Sequence, residues 1–264
     1  MLNPDQYSNS HKYDARLYLN KHFKTNSESK ANWLFGFFPK KENIKVLELG
    51  CGTGLFWLAN KNLIPESWKI ILSDYSEGML KETQKNLSPL KHHFEYAIVN
   101  AQSIDYPANH FDVVLANNML YHVEDITIAL TQIKRTLKKD GIFIAATQGK
   151  NDMKELNDIL YSFLVNKGQH HIFRERAFSM DNGLKQLRPF FTEIQIKRFD
   201  NKLRITEVEP IINYFSSFSG IANNIEVLPE RKIEGFKEYL QIRMDRDKAI
   251  IVNKDTGAFI CSNE

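Results

Sequence analysis

The sequence predicts an α/β protein built on a doubly wound, mostly parallel sheet, and three observations carry that prediction. Short apolar runs rich in β-branched residues recur through the chain: IKVLELG, KIILSDY, FEYAIVNA, FDVVLANN and GIFIAAT. Segments with helical spacing separate them, and three glycines, Gly50, Gly52 and Gly54, follow the first run directly. Apolar runs of this length are strands buried on both faces. Strands that alternate with helices pair in parallel through right-handed crossovers, and such a sheet gathers its ligands at the carboxyl ends of the strands.

In chain order, residues 1–42 contain HKYDARLYLNKHF, where Tyr13, Leu17 and Phe23 stand among charges; one or two helices are expected, over the ligand edge or beside it. Residues 43–148 hold the five strands, with helices at GLFWLANKNL, EGMLKETQKNL and ITIALTQIKRTLKKD. In the last of these Ile126, Ile128, Leu130, Ile133 and Leu137 give a broad apolar face, and Gly141 is a natural stop. Residues 149–264 read as cap helices and further strands within the same single domain. NDMKELNDILYSFLVN is a helix, a short one starts near Ser179 as N-cap, and FTEIQIKRF is a half-buried strand. Thr206 and Glu209 fit a capping box opening EPIINYFSSF, ERKIEGFKEYLQIRM is another helix, and AIIVNKDTGAFICS reads as a hairpin.

The composition suits a globular chain with a sizeable core: 264 residues, 42% hydrophobic and 25% charged. Thirty-five basic against 32 acidic residues leave a net charge of +3, a weak field that gives no reason to expect nucleic acid as a partner. Cys51 and Cys261 are too few and too far apart for a disulfide framework. No apolar run approaches the roughly 20 residues that span a bilayer, and the N-terminus lacks a signal-peptide core. The expectation is a soluble, cytoplasmic protein with no membrane association, monomeric or homodimeric.

The glycines allow a tight turn and close approach of a ligand to bare backbone. The dinucleotide fingerprint would place its third glycine at position 55, where Leu55 stands, and no Gly-Lys-Ser/Thr follows to make a Walker loop. Asp74 ends the second strand, 24 residues after Gly50, where a carboxylate can accept from both hydroxyls of an adenosine ribose.

Glu48, Gly50, Gly52 and Gly54 form the pattern E-x-G-x-G-x-G, and here the chain resembles the class I S-adenosylmethionine-dependent methyltransferases. The resemblance continues through LSDYSEGML, NAQSIDYP, FDVVLANNMLYHV and LKKDGIFI in the family's order and spacing, over roughly residues 43–148. It is closest to the small-molecule enzymes of the ubiquinone and menaquinone biosynthesis type. The resemblance implies a seven-stranded Rossmann-like methyltransferase sheet with an antiparallel C-terminal hairpin and helical cap insertions. It also implies S-adenosyl-L-methionine as cofactor and a small-molecule acceptor, the alternatives being an RNA or protein methyltransferase or a noncatalytic S-adenosylmethionine-binding module. Glu48, Gly50, Cys51, Gly52 and Gly54 would then lie along the methionine part, with Asp74 on the ribose. Tyr75 and Met79 would flank the adenine, Ala101 and Gln102 would meet its edge, and Asn117 would lie near the methionine end. Met79 fits helix core equally well, Gln102 a plain turn, and Cys51 a small filler.

A sulfonium gives up its methyl by direct displacement, so the protein's task is to align the acceptor and exclude water. His122 lies where the methyl should emerge and is the candidate base; shaping its loop is the alternative. Tyr13 and Arg16 are candidates for closing over the cofactor, Arg16 through its carboxylate, although a surface helix explains them as well. His170 and His171 are adjacent and lack an acidic partner at ligand spacing, so no metal site is expected. Metal-dependent relatives would carry an acidic group where Asn117 stands and Asp-Asn where Gln148 stands. NNMLYH also departs from the Asn-Pro-Pro-aromatic pattern of DNA amino-methyltransferases.

Overall fold

The computed structural model describes residues 10–164, 176–218 and 227–262, with side chains from residue 15 onward. Seven strands form the main sheet: β1 (Lys45–Leu49), β2 (Lys69–Asp74), β3 (Phe94–Ile98), β4 (Phe111–Asn117), β5 (Leu137–Gln148), β6 (Glu193–Phe199) and β9 (Thr256–Ser262). Their order is β3-β2-β1-β4-β5-β9-β6. The first five pair in parallel, and β9 runs antiparallel to both β5 and β6. The direction of winding reverses between β1 and β4, the point where open α/β sheets bind ligands.

The continuous apolar runs are explained by cover on both faces. Leu47, Leu49, Val114, Ala116, Phe143 and Ala145 enter one apolar cluster, while Val46, Leu72, Val113, Leu115, Ile144 and Ala146 enter the other. Neighbouring residues point to opposite faces, so a strand covered on both sides has no polar alternation to show. Helix α4 (Glu77–Leu87) is capped by Ser76, whose side chain accepts from the Met79 amide. Helix α5 (Ile126–Thr136) is capped in the same way by Asp125. The helix after the glycines, α3, is one short piece, Leu55–Ala59.

Four expectations are corrected. The C-terminal hairpin does not form: β8 (Ile250–Asn253) pairs with β7 (Lys202–Ile205) in a separate two-stranded sheet, while β9 enters the main one. The β6–β9 pairing ends at Phe199↔Thr256 and the β7–β8 pairing resumes at Lys202↔Asn253, in the same register. The two sheets are therefore joined by one antiparallel ribbon, bent where the Lys254 amide bonds the Asn201 carbonyl at 3.1 Å. Burial explains the split: β9 is buried along nearly its whole length, whereas β8 alternates buried and exposed residues. Helix α5 stops at Thr136, not Gly141. The Thr136 hydroxyl turns back to the Gln132 and Ile133 carbonyls, and Leu137 is already extended and paired with Phe111.

The capping box is absent, since helix α8 (Glu209–Ser216) starts after Val208 with no side-chain cap; Pro210 in its first turn lacks an N–H to satisfy. Ser179 heads a turn rather than the helix, accepting from the Asp181 and Asn182 amides before α7 (Gly183–Leu187).

A third apolar cluster forms the cap. Helices α1 (Ser10–His22), α6 (Lys154–Leu164), α8 and α9 (Ile233–Asp247) bring Leu19, Leu156, Leu160, Phe215, Phe236 and Leu240 onto the inner faces of β7 and β8. Helix α2 (Lys30–Phe35) and the α7 segment pack on the main sheet instead, through Leu34 on one face and Leu187 on the other. Among the described residues no helix is long and apolar enough to cross a membrane.

Candidate active site

The loop after β1 is held open by its own hydrogen bonds. Gly50, Gly52 and Gly54 all have positive φ, at 65°, 58° and 74°. At Gly54 an added Cβ would stand 2.9 Å from Thr83 Cγ2, so glycine there lets α4 close on the loop. At Gly52 it would meet nothing within 4 Å. The Gly52 peptide is fixed from two sides, its amide donating to Asp74 Oδ2 at 3.0 Å and its carbonyl accepting from Thr83 Oγ1 at 2.6 Å. The result is a rigid stretch of bare backbone facing free space, which is what a ligand that lies against the main chain requires.

Asp74 closes the loop onto β2. Its Oδ1 accepts from the Ser76 amide at 2.9 Å, and burial raises its pKa despite these bonds from backbone amides. Tyr75 beside it is 65% exposed, and Met79 is buried under the same turn. Ala101 is buried; Gln102 is half-buried, and its side chain accepts from the Asp125 amide at 3.3 Å. Asn117 accepts from Asn118, and Met119 packs against Gly50, where an added Cβ would fall 2.7 Å from Met119 Cβ. Two buried oxygens at this edge make no hydrogen bond, Thr53 Oγ1 and Asn118 Oδ1.

Glu48 sits differently from the other loop residues. Its carboxyl is buried under α3 and accepts from Trp57 Nε1 at 2.5 Å, tying that helix to β1. Burial raises it to about 8, with the nearby Asp74 charge adding and the indole bond opposing. The folded protein thus holds a proton that the unfolded chain loses near its ordinary 4.5. Stability should fall as pH rises from 4.5 towards about 8, by about 1.4 kcal/mol per unit if this group acts alone. Glu48→Gln should remove that slope, read as a melting temperature that holds better than the wild type's across the same interval. Cys51 is buried 3.7 Å from the Thr83 hydroxyl, and burial raises its thiol, which makes it a filler rather than a nucleophile.

His122 ends a short 3-10 turn, Leu120–His122, just beyond β4, with its ring 4.5 Å from Tyr121. Burial first, then the charges of Arg176 and Arg16, push its pKa down to about 4. Arg16, on α1, lies 5.7 Å over the Phe218 ring, and its buried Nη2 makes no hydrogen bond. The backbone of Tyr13 is on the same helix; its side chain lies outside the described residues, as do His170 and His171. Among the described residues no group of three His, Cys, Asp or Glu could hold a metal ion. Two surface grooves, of about 360 and 240 Å³, lie on the cap and at the ribbon's bend, and neither borders the glycine loop.

Residues 47–145, which include every glycine and acidic position of the loop, match the family model described as "Methyltransferase domain". That stretch carries a methyltransferase domain. Over 153 residues it is 29% identical to the ubiquinone/menaquinone biosynthesis C-methyltransferase UbiE of Shewanella sp. strain ANA-3, covering 56% of this chain and 61% of that protein. The chain thus matches under two thirds of that relative's length. Two solved structures share the domain's fold. The YcgJ protein of Bacillus subtilis has TM-score 0.57 at 15% identity, covering 89% of this chain and 98% of its own. A SAM-dependent methyltransferase of Aquifex aeolicus has TM-score 0.52 at 16% identity, covering 78% and 93%.

Lys30, Asp152, Arg176, Tyr214 and Lys254 escaped sequence reasoning. They come from α2, the segment after β5, the segment before α7, α8 and the ribbon's bend, and no spacing rule connects them.

Proposed function

We propose that this protein transfers a methyl group from S-adenosyl-L-methionine to a small molecule by direct in-line displacement, without a metal. The observation that carries the reading is Gly52: fixed backbone with open space over its Cα, beside a carboxylate at the end of the second strand. The residues present fit the cofactor. Gly50 to Gly54 would run along the methionine part and Asp74 would accept from the ribose. Tyr75 would cover the adenine, with Ala101 and Gln102 at its edge. Thr53 and Asn118 offer buried oxygens still lacking partners, and Arg16 an unbonded guanidinium nitrogen for the carboxylate. When bound, the cofactor supplies a methyl on a positively charged sulfur. The name of the Shewanella relatives supports a small acceptor.

The chain's own contribution is alignment, dryness and a proton acceptor. His122, with its pKa near 4, is neutral at physiological pH and can accept a proton from an oxygen or nitrogen acceptor. Its affinity for that proton is low because the ring is buried and two guanidiniums bear on it, and rises when their charge is offset. His122→Asn is expected to lower the transfer rate by about a hundredfold with unchanged S-adenosylhomocysteine binding. The wild-type rate should show no acid limb from this group between about pH 5 and 8. A variant as fast as the wild type would leave His122 only a loop-shaping role.

Calorimetry with S-adenosylmethionine, S-adenosylhomocysteine and NAD tests the cofactor, and a transfer screen against small molecules, tRNA and peptides tests the acceptor. Binding of NAD with no response to either adenosyl compound would sink the reading. Transfer to tRNA or peptide alone would move the acceptor to a different class.

A further inference from the structure

Between the glycine loop and the cap the described residues collect more positive charge than their own carboxylates offset. Arg176 is the common member: its charge bears on Lys30 of α2, on His122 beyond β4 and on Tyr214 of α8. Arg16 bears on His122 and Tyr214 as well. The side chains are seated on aromatic rings, Arg176 5.3 Å over Tyr121 and Arg16 5.7 Å over Phe218, whose ring lies 5.0 Å from that of Tyr214. Asp152 is the carboxylate that bears on this group among the described residues, and it is committed: Lys254 meets it at 2.8 Å, both side chains about 5% exposed. Asp152 also accepts from the Asp255 amide.

Among the described residues four cations, Lys30, Arg16, Arg176 and Lys254, thus gather around one carboxylate, which Lys254 alone neutralises. Burial first, then the neighbouring Lys254 and Arg176 charges, drive Lys30 down to about 8 against the opposing pull of Asp152. The proposed donor does not relieve this. Its ammonium and sulfonium outnumber its one carboxylate, so loading the site adds positive charge. Half-buried cations of one sign call for an anion.

We propose that the acceptor is an anionic small molecule, a carboxylate or phosphate on an apolar body, held by Arg176 and Lys30 beside the Tyr121, Tyr214 and Phe218 rings. The proposal rests on the methyltransferase reading for the word acceptor, and on the charge cluster for the anion. Arg16 remains for the donor's own carboxylate. The anion would also offset the guanidinium charges that add to burial in holding His122 unprotonated, coupling acceptor binding to the imidazole's capacity to take a proton.

The test titrates benzoate and phenyl phosphate, with benzamide as the neutral counterpart of benzoate, into the full chain with and without S-adenosylhomocysteine. Binding is followed by chemical-shift changes into the millimolar range. At least one anion should bind about tenfold or more tightly than benzamide. Arg176→Gln should remove that preference, Arg176→Lys restore part of it, and Lys30→Met weaken it, with near-ultraviolet circular dichroism confirming that each variant is folded. Preference for benzoate alone assigns a carboxylate, and for phenyl phosphate alone a phosphate. Equal binding of all three compounds, no binding of either anion, or a preference that survives both Arg176→Gln and Lys30→Met overturns the proposal. Failure of S-adenosylhomocysteine to bind would overturn the cofactor reading instead, and the anion preference measured without it would still decide this one.

Discussion

Gly52→Ala is expected to leave the protein folded and weaken S-adenosylhomocysteine binding by about ten- to a hundredfold, roughly 1.4 to 2.8 kcal/mol. The two effects separate because the added methyl meets no protein atom within 4 Å, so the fold bears only the strain of an alanine at φ 58°. That strain is about 1 to 2 kcal/mol, visible as a modest loss of melting temperature. The methyl would instead occupy the space that a ligand lying on the loop must enter. Gly54→Ala is the control with the opposite balance, because its Cβ would press Thr83 and Leu87 of α4 at 2.9 and 3.2 Å. It should cost stability first, by overpacking of about 1 to 3 kcal/mol on top of similar backbone strain. If calorimetry finds Gly52→Ala binding like the wild type, no ligand lies against that residue.

Asp74→Ala should cost binding and stability together. A hydrogen bond from a ribose hydroxyl to a carboxylate contributes about 1.5 to 3 kcal/mol, the expected loss of S-adenosylhomocysteine affinity. The same carboxylate accepts from the Gly52 and Ser76 amides, and removing it leaves both donors without that partner. A further about 1 to 3 kcal/mol of folding stability should go with it. Asp74→Asn separates the contributions, since it keeps one carbonyl acceptor but turns an NH2 towards the other backbone N–H. It should recover part of the stability and less of the affinity. An Asp74→Ala protein that melts early yet binds the cofactor undiminished would make this residue a strut of the loop and nothing more.

The parts legible in the sequence were those governed by neighbours along the chain. The α4 boundaries follow from Ser76 as cap and an apolar face, and the helix is Glu77–Leu87 as its sequence suggests. The parallel strands announce themselves because burial on both faces leaves no room for polar residues. What misled were local signals overridden by distant partners. Leu137 continues a helical stripe, but pairing with Phe111 pulls it into a strand. The residues around Lys254 and Asp255 look like a hairpin turn, yet Asp152 and Asn201 hold that point and send the chain onward into the main sheet. Around the candidate site, the glycines and Asp74 meet because the loop after β1 bonds the end of β2 through the Gly52 amide, while His122 follows β4 in its own short turn. Glu48 was read as a ligand contact, whereas Trp57 takes its carboxyl inward. The cluster around Arg176 was invisible because it exists only once the cap has closed.

The placing of β9 has a consequence for the order in which the protein can assemble. This strand lies second from one edge of the sheet, between β5 and β6, yet it is the last described strand in the chain. Its pairing of Ile142 with Ser262 closes a very long loop, the kind of contact that forms late and slows folding. During synthesis the five parallel strands emerge first and wait with the edge of β5 unpaired, a template for another chain. Until β9 arrives, the cofactor half is exposed to self-association, and the cap, carried on the other end of the same ribbon, cannot be set. Seating of this one strand completes the sheet and ties the cap to it in a single event.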